Sequence, residues 1–240
     1  MCFILLLNNN IVFWLSQMNF YLHLDMKSIL ALIQLEFKME MRRKYAIGGA
    51  LLYVLSTVFV IYTSLQSAEN LPWNALFWLV ALFIAVNAIA KSFAIEQDGT
   101  QLYLYQLASG IHIILAKMIY NVLLVLVLLL LSMGAFLLFL AIPIQHLGLF
   151  VGTVALGSLG LGIVLTFISA IANKTDNSAV FTAILSFPIL LPTLLSLIKL
   201  THASFSIESI PISQDIVILL AIDTILIGLI LILFPIVWKD

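Results

Sequence analysis

The chain has 240 residues, 64% of them hydrophobic and 9% charged, with a formal net charge of −1. Soluble domains run at about half apolar and a quarter charged, so this composition excludes a water-facing globule. It divides instead into runs of about 20 residues, the length that crosses a ~30 Å hydrocarbon core.

Residues 1–25 contain no lysine or arginine and so lack the basic n-region of a signal peptide, and Asn8–Asn10 interrupts their apolar run. They read as a non-native or disordered leader ahead of a working protein that begins at Met26, with a seventh, poor transmembrane segment as the alternative. Residues 26–45 read as an amphipathic interfacial helix. Ile29, Ile33, Phe37 and Met41 recur every fourth residue beside Leu32 and Leu35, while Gln34, Lys38 and Arg42 form a polar row at the same spacing. Such a helix lies in the headgroup plane with its basic residues outward. The Arg42-Arg43-Lys44 step next to an apolar run suits anionic headgroups, which makes membrane lipid an expected partner. No basic cluster resembles a nucleic-acid surface, so nucleic acid is not one.

Six apolar runs follow, at about 46–65, 71–90, 115–140, 149–172, 179–198 and 215–237. The fold class is therefore all-α, a polytopic integral membrane protein with six transmembrane helices over residues 46–240. Lys27, Lys38, Arg42, Arg43 and Lys44 precede the first run, Lys91 and Lys117 bracket the second connection, Lys174 lies in the fourth and Lys239 follows the last run. The first and third connections, residues 66–70 and 141–148, have no lysine or arginine, and Lys199 alone falls on that side. The positive-inside rule then places both termini in the cytoplasm. Trp73 and Trp238 sit at span ends, where an amphipathic ring prefers the interface.

The segment between the second and third runs, residues 91–117, is dense in polar groups: Glu96, Asp98, an Asp98–Gly99 turn signal, Gln97, Gln101 and Gln106, with a lysine at each end. A polar element hung between two membrane helices is a handle on which a soluble partner can push. Its residues 101–107 alternate polar and apolar types, but an isolated strand beside a bilayer leaves its backbone unpaired. A short helix capped by Thr100 and ended near Ser109–Gly110 is the expectation. Tyr103 and Tyr105 add apolar area to this polar segment and are candidate docking anchors. Glu96 is expected to pair with a base on the partner or to fix the loop against Lys91 or Lys117.

In the fourth run, Gly148–Gly152 and Ser158–Gly162 are small-xxx-small pairs that let helix backbones approach closely, within or between subunits. Pro188 and Pro192 in the fifth each remove a backbone donor, so a bent or broken helix is expected there.

No G-x-x-x-x-G-K-S/T, H-E-x-x-H, C-x-x-C or G-x-S-x-G occurs in these residues. Nothing points to an enzyme, so no catalytic residue is assigned. The single cysteine, Cys2, can form neither an internal disulfide nor a multi-cysteine metal site, and no metal site or firmly bound cofactor is expected. His23 lies in the leader and His112 on the handle. His146 and His202 fall in the two outer connections, which ranks them first as haem-iron contacts, although nothing in the sequence pairs any of the four with a second ligand. Asp223 lies about eight residues, roughly 12 Å, into the sixth run. An ionisable side chain at that depth costs about 2.5–3.5 kcal/mol on insertion scales and marks a functional site by default. The plainer reading has it protonated or hydrogen-bonded through Thr224 or Asn87.

Several patches together resemble one family, the B subunit of the haem exporter of cytochrome c maturation, CcmB. The start Met26-Lys-Ser-Ile-Leu-Ala-Leu-Ile-Gln-Leu-Glu36-Phe-Lys38 is similar to the family's N-terminal segment, with its Leu-Glu-hydrophobic-basic step. Phe93, Glu96, Gly99, Leu102 and Leu107, followed by Ala116-Lys117, resemble its signature of a phenylalanine, an acid, a glycine and a leucine ahead of A-K. Ser169-Ala-Ile-Ala172, followed by Leu185-Ser-Phe-Pro188-Ile-Leu-Leu-Pro192, resembles its second signature. Two departures stand out: Leu102-Tyr103 where the family has L-E, and Ala108-Ser109-Gly110 where it has a proline before A-K.

The resemblance implies the permease subunit of an ABC-type exporter in the bacterial inner membrane. It would pair with itself, with a separate ABC ATP-binding subunit that binds the ATP, and with a haem-handling membrane subunit. Haem would be its cargo or that of a periplasmic chaperone loaded beside it. Phe93, Glu96, Asp98, Gly99, Leu102, Tyr103, Tyr105, Leu107 and Lys117 would then form the loop coupled to the ATPase. A permease of the same architecture for lipid, polysaccharide or drug, and a non-transport assembly factor that only anchors partners, are the alternatives. A secondary transporter fits least, because nothing suggests inverted repeats and Asp223 is the only acid deep in a run.

Overall fold

The computed structural model describes residues 26–42, 44–64, 73–94, 110–140, 144–172, 178–205 and 212–237. Seven helices make up these residues, with no strand among them: α1 (Met26–Arg42), α2 (Lys44–Ser64), α3 (Trp73–Ala94), α4 (Gly110–Phe139), α5 (Leu147–Ala172), α6 (Ser178–Ala203) and α7 (Ser213–Val237). Each coincides with a segment expected from the apolar pattern. A helix satisfies its own backbone polar groups, and hydrocarbon demands this. Four of the apolar stretches, Gly110–Phe139, Leu147–Ala172, Ser186–Ala203 and Ser213–Ile232, are long and apolar enough to cross a membrane. Leu51–Ser64 and Asn74–Ala90 are shorter apolar helical stretches.

Side-chain contacts show the helices alternating in direction. Phe59, edge-on, and Tyr62, tilted, near the end of α2, pack against the Phe139 ring at the end of α4. At the same end the Asn74 amide of α3 donates to the Ile198 carbonyl of α6 (2.9 Å), and Lys199 lies 3.8 Å from Asp215 in the first turn of α7. Gln145 and His146, leading into α5, donate their backbone N–H groups to the Ser204 carbonyl just past α6. The far end carries α1, held against α2 and α4.

Helix α5 is the centre of the bundle. It packs against α3, α4, α6 and α7, and its residues 160–170 are buried without a break. Three glycines make this density feasible, each receiving a different neighbour. A Cβ on Gly157 would run into the Trp78 ring of α3, one on Gly160 would stand 3.0 Å from the Thr193 methyl of α6, and one on Gly162 2.9 Å from the Val122 Cα of α4. The Ser158–Gly162 pair therefore packs within this chain. At Gly148 and Gly152 nothing lies within 4 Å of such a Cβ, so that pair is left open. Helix α6 runs on through Pro188 and Pro192, both of which face outward, so it is not broken at either. Loss of two backbone donors is tolerated here by a helix packed along its other face.

Candidate functional site

Amphipathicity decides how α1 docks. Ile29 is buried, Leu32, Ile33 and Glu36 are partly buried, and Lys27, Gln34 and Lys38 face outward. The positions 29, 32, 33 and 36 form one helical stripe, so Glu36 sits on the apolar side of its own helix. There its Oε1 meets the Lys117 Nζ of α4 at 3.4 Å, with the lysine side chain 2% exposed and the glutamate 13%. Phe37 and Leu30 stay on the outer side, 57% and 54% exposed, where an apolar ring and side chain suit a lipid boundary. The expectation that Lys117 closes the loop coupled to the ATPase is corrected in one respect, since the residue is helical and buried. It lies two turns inside α4, with α1 laid over it.

The same face of α4 continues inward. Asn121, one turn on from Lys117 and fully buried, donates from Nδ2 to the Thr166 hydroxyl of α5 at 3.0 Å, and Thr166 donates to the Gly162 carbonyl at 2.6 Å. The Asn121 Oδ1 and the Ser169 hydroxyl are buried with no hydrogen-bond partner among the described residues. A row of polar groups thus leads from the α1 contact into the α4–α5 interface. Val122, against Gly162, holds the two backbones together beside it.

Other expected site residues are scattered. Phe93 lies in the last turn of α3, and Glu96, Asp98, Gly99, Leu102, Tyr103, Tyr105 and Leu107 fall outside the described residues. His112 lies in the first turn of α4, at the α1 end. His146 and His202 are both exposed and share the opposite end, where the His146 backbone is tied to Ser204, two residues beyond His202. The described residues hold no group of three or more His, Cys, Asp or Glu side chains able to hold a metal ion.

Asp223 is buried in α7, but neither expected partner serves it. The Asn87 amide donates to the Phe83 carbonyl and the Thr224 hydroxyl to the Leu220 carbonyl, both on their own helices and both on exposed residues. Two residues that the sequence pattern does not mark, Trp78 and Thr201, lock α3 to α6 through a buried Nε1–H to Oγ1 hydrogen bond of 2.8 Å. The signal for Trp78 was its place inside an apolar run, too far from the span end to be an interfacial ring.

These features define a helical membrane protein in which an amphipathic surface helix is pinned to the entry of a long apolar helix, next to the chain's polar connection. A family model for CcmB protein matches residues 27–236. The chain belongs to the CcmB family, a family of transporter subunits rather than enzymes, acting in haem transport and c-type cytochrome biogenesis. Comparisons with curated proteins and with solved structures give no match.

Proposed function

We propose that this chain is the permease subunit of an ABC-type complex of c-type cytochrome maturation, with α2–α7 crossing the inner membrane six times and both termini in the cytoplasm. It works as a homodimer, beside a haem-handling membrane subunit. ATP is hydrolysed in a separate subunit that docks on the segment between α3 and α4. Its movement reaches the membrane through α4 and the helix pinned to it, and serves to deliver haem or to release the loaded chaperone. His146 and His202, exposed together at the opposite end, are the proposed haem contacts.

The family match over residues 27–236 carries this reading. The charge distribution supports the orientation, since Lys117 and the basic α1 lie at one end while Gln145 and His146, in a stretch without lysine or arginine, lie at the other. The test is to remove the chain from its host and to restore it with a reporter fused after Asp240. Covalent haem in c-type cytochromes should vanish and return, with the reporter active only in the cytoplasm. Unchanged cytochromes in its absence would assign it another cargo, and periplasmic reporter activity would require an odd number of spans.

A further inference from the structure

We propose that Asp223 and Thr193 form an intramembrane proton-binding site at the junction of α5, α6 and α7, independent of what cargo the complex carries. Asp223 is 6% exposed and Thr193 0%. The Asp223 Oδ1 and the Thr193 Oγ1 are buried with no hydrogen-bond partner among the described residues. Both side chains close over one backbone position: a Cβ on Gly160 would lie 3.0 Å from the Thr193 Cγ2 and 3.6 Å from the Asp223 Oδ1. The glycine thus makes the room in which the Asp223 carboxyl from one helix and the Thr193 side chain from another, methyl first, share a space.

Thr193 departs from the habit of its own bundle. The hydroxyls of Thr63, Thr153, Thr166, Thr201 and Thr224 each donate to the carbonyl four residues earlier, the usual way a threonine hides its polarity in a membrane helix. The Thr193 hydroxyl makes no such bond and stays unclaimed on the residue that meets the acid over Gly160.

Neither lysine with a recorded ion pair turns to Asp223. Helix α5 has no titratable side chain. Helix α6 offers Lys199, which pairs with Asp215 about 12 Å along α7 from Asp223, and His202, exposed in its last turn. Helix α4 offers His112, Tyr120 and Lys117, the last paired with Glu36. An ionised carboxylate only accepts, whereas a protonated one also donates, so one neighbouring hydroxyl serves the neutral acid in either sense. A hard metal cation such as calcium takes about 6–8 oxygens, and one carboxyl and one hydroxyl fall well short of that. The ligand that fits is a proton, bound on the carboxyl by one O–H bond and released to water when that bond breaks.

The intact complex in nanodiscs is treated with dicyclohexylcarbodiimide, which modifies buried protonated carboxyls, and the α7 peptide is read by mass spectrometry across pH with and without sodium. Asp223 should be labelled at acidic pH, with the label falling about tenfold for each pH unit above the midpoint as the acid deprotonates. Sodium should have no effect, and Thr193→Val should raise the midpoint, because the hydroxyl's charge-assisted bond to the anion is stronger than its bond to the neutral acid and is the one lost. Infrared difference spectra against Asp223→Asn give a second reading, a protonated carboxyl band that shifts in heavy water. Absence of both label and band would overturn the proposal, as would protection by sodium, which would make the junction a metal-cation site.

Discussion

Glu36→Ala should destabilise the folded chain by about 3–5 kcal/mol, the range for removing one partner of a buried ion pair. The asymmetry of the pair sets the order of effects. Lys117 is 2% exposed and Glu36 13%, so losing the glutamate strands the deeper charge, while Lys117→Ala leaves a carboxylate nearer water and should cost less. Replacing both, as Glu36→Leu with Lys117→Met, should restore most of the stability, since a buried pair exchanged for apolar side chains of similar volume is often neutral or better. The double-mutant cycle can be read by SDS-induced unfolding in mixed micelles. Losses below about 1 kcal/mol for both single variants would be those of an exposed surface pair and would free α1 from α4. If the double variant is stable yet inactive in cytochrome maturation, the charge itself has a part in coupling.

Gly162→Ala should cost about 1–3 kcal/mol, the usual penalty of overpacking a filled core, and Gly162→Val should prevent stable accumulation. The added methyl would meet the Val122 Cγ2 at 2.6 Å and the Val122 Cα at 2.9 Å. A side chain can turn aside, but a backbone atom moves only with its helix, so α4 and α5 must separate. That would stretch the Asn121–Thr166 hydrogen bond beside the contact. Gly152→Ala is the control: with nothing within 4 Å, it should be neutral or gain up to about 1 kcal/mol of helix propensity. Equal behaviour of the two alanine variants in thermal unfolding would remove the close α4–α5 approach from the account.

The helices were legible because hydrocarbon permits few alternatives, and apolar runs of membrane length have one structure open to them. The close packing of α5 was legible from Ser158–Gly162, but which glycine meets which neighbour was not. Gly148 and Gly152 have the same spacing and stay open, because small residues permit contact without choosing a partner. Glu36 carried a readable signal, a charge on the apolar stripe of α1 at the spacing of Ile29, Leu32 and Ile33. Lys117 read as the edge of the polar connection because a lysine beside a membrane-length run marks an interface, although Ile111, Ile113, Ile114 and Leu115 before it are already apolar. The oddity of Asp223 was plain from its depth. Its surroundings were not, since Thr193 and Gly160 lie on other helices and only the bundle brings them to it.

The central claim is that a separate ATPase drives this chain through the segment between α3 and α4. It is tested most directly by how much ATP-binding subunit stays with the chain in mild detergent when Tyr103 or Glu96 is replaced by alanine. Binding at such a surface rests on a few anchors worth about 2 kcal/mol or more each, with aromatics preferred, and every 1.4 kcal/mol is tenfold in affinity. Tyr103→Ala should therefore lower retention of the ATPase at least ~tenfold while the chain stays inserted and folded, and Glu96→Ala should abolish c-type cytochrome assembly with binding less affected. Full retention of the ATPase together with normal cytochrome levels in both variants would contradict the account and leave this segment as ordinary headgroup-zone polypeptide.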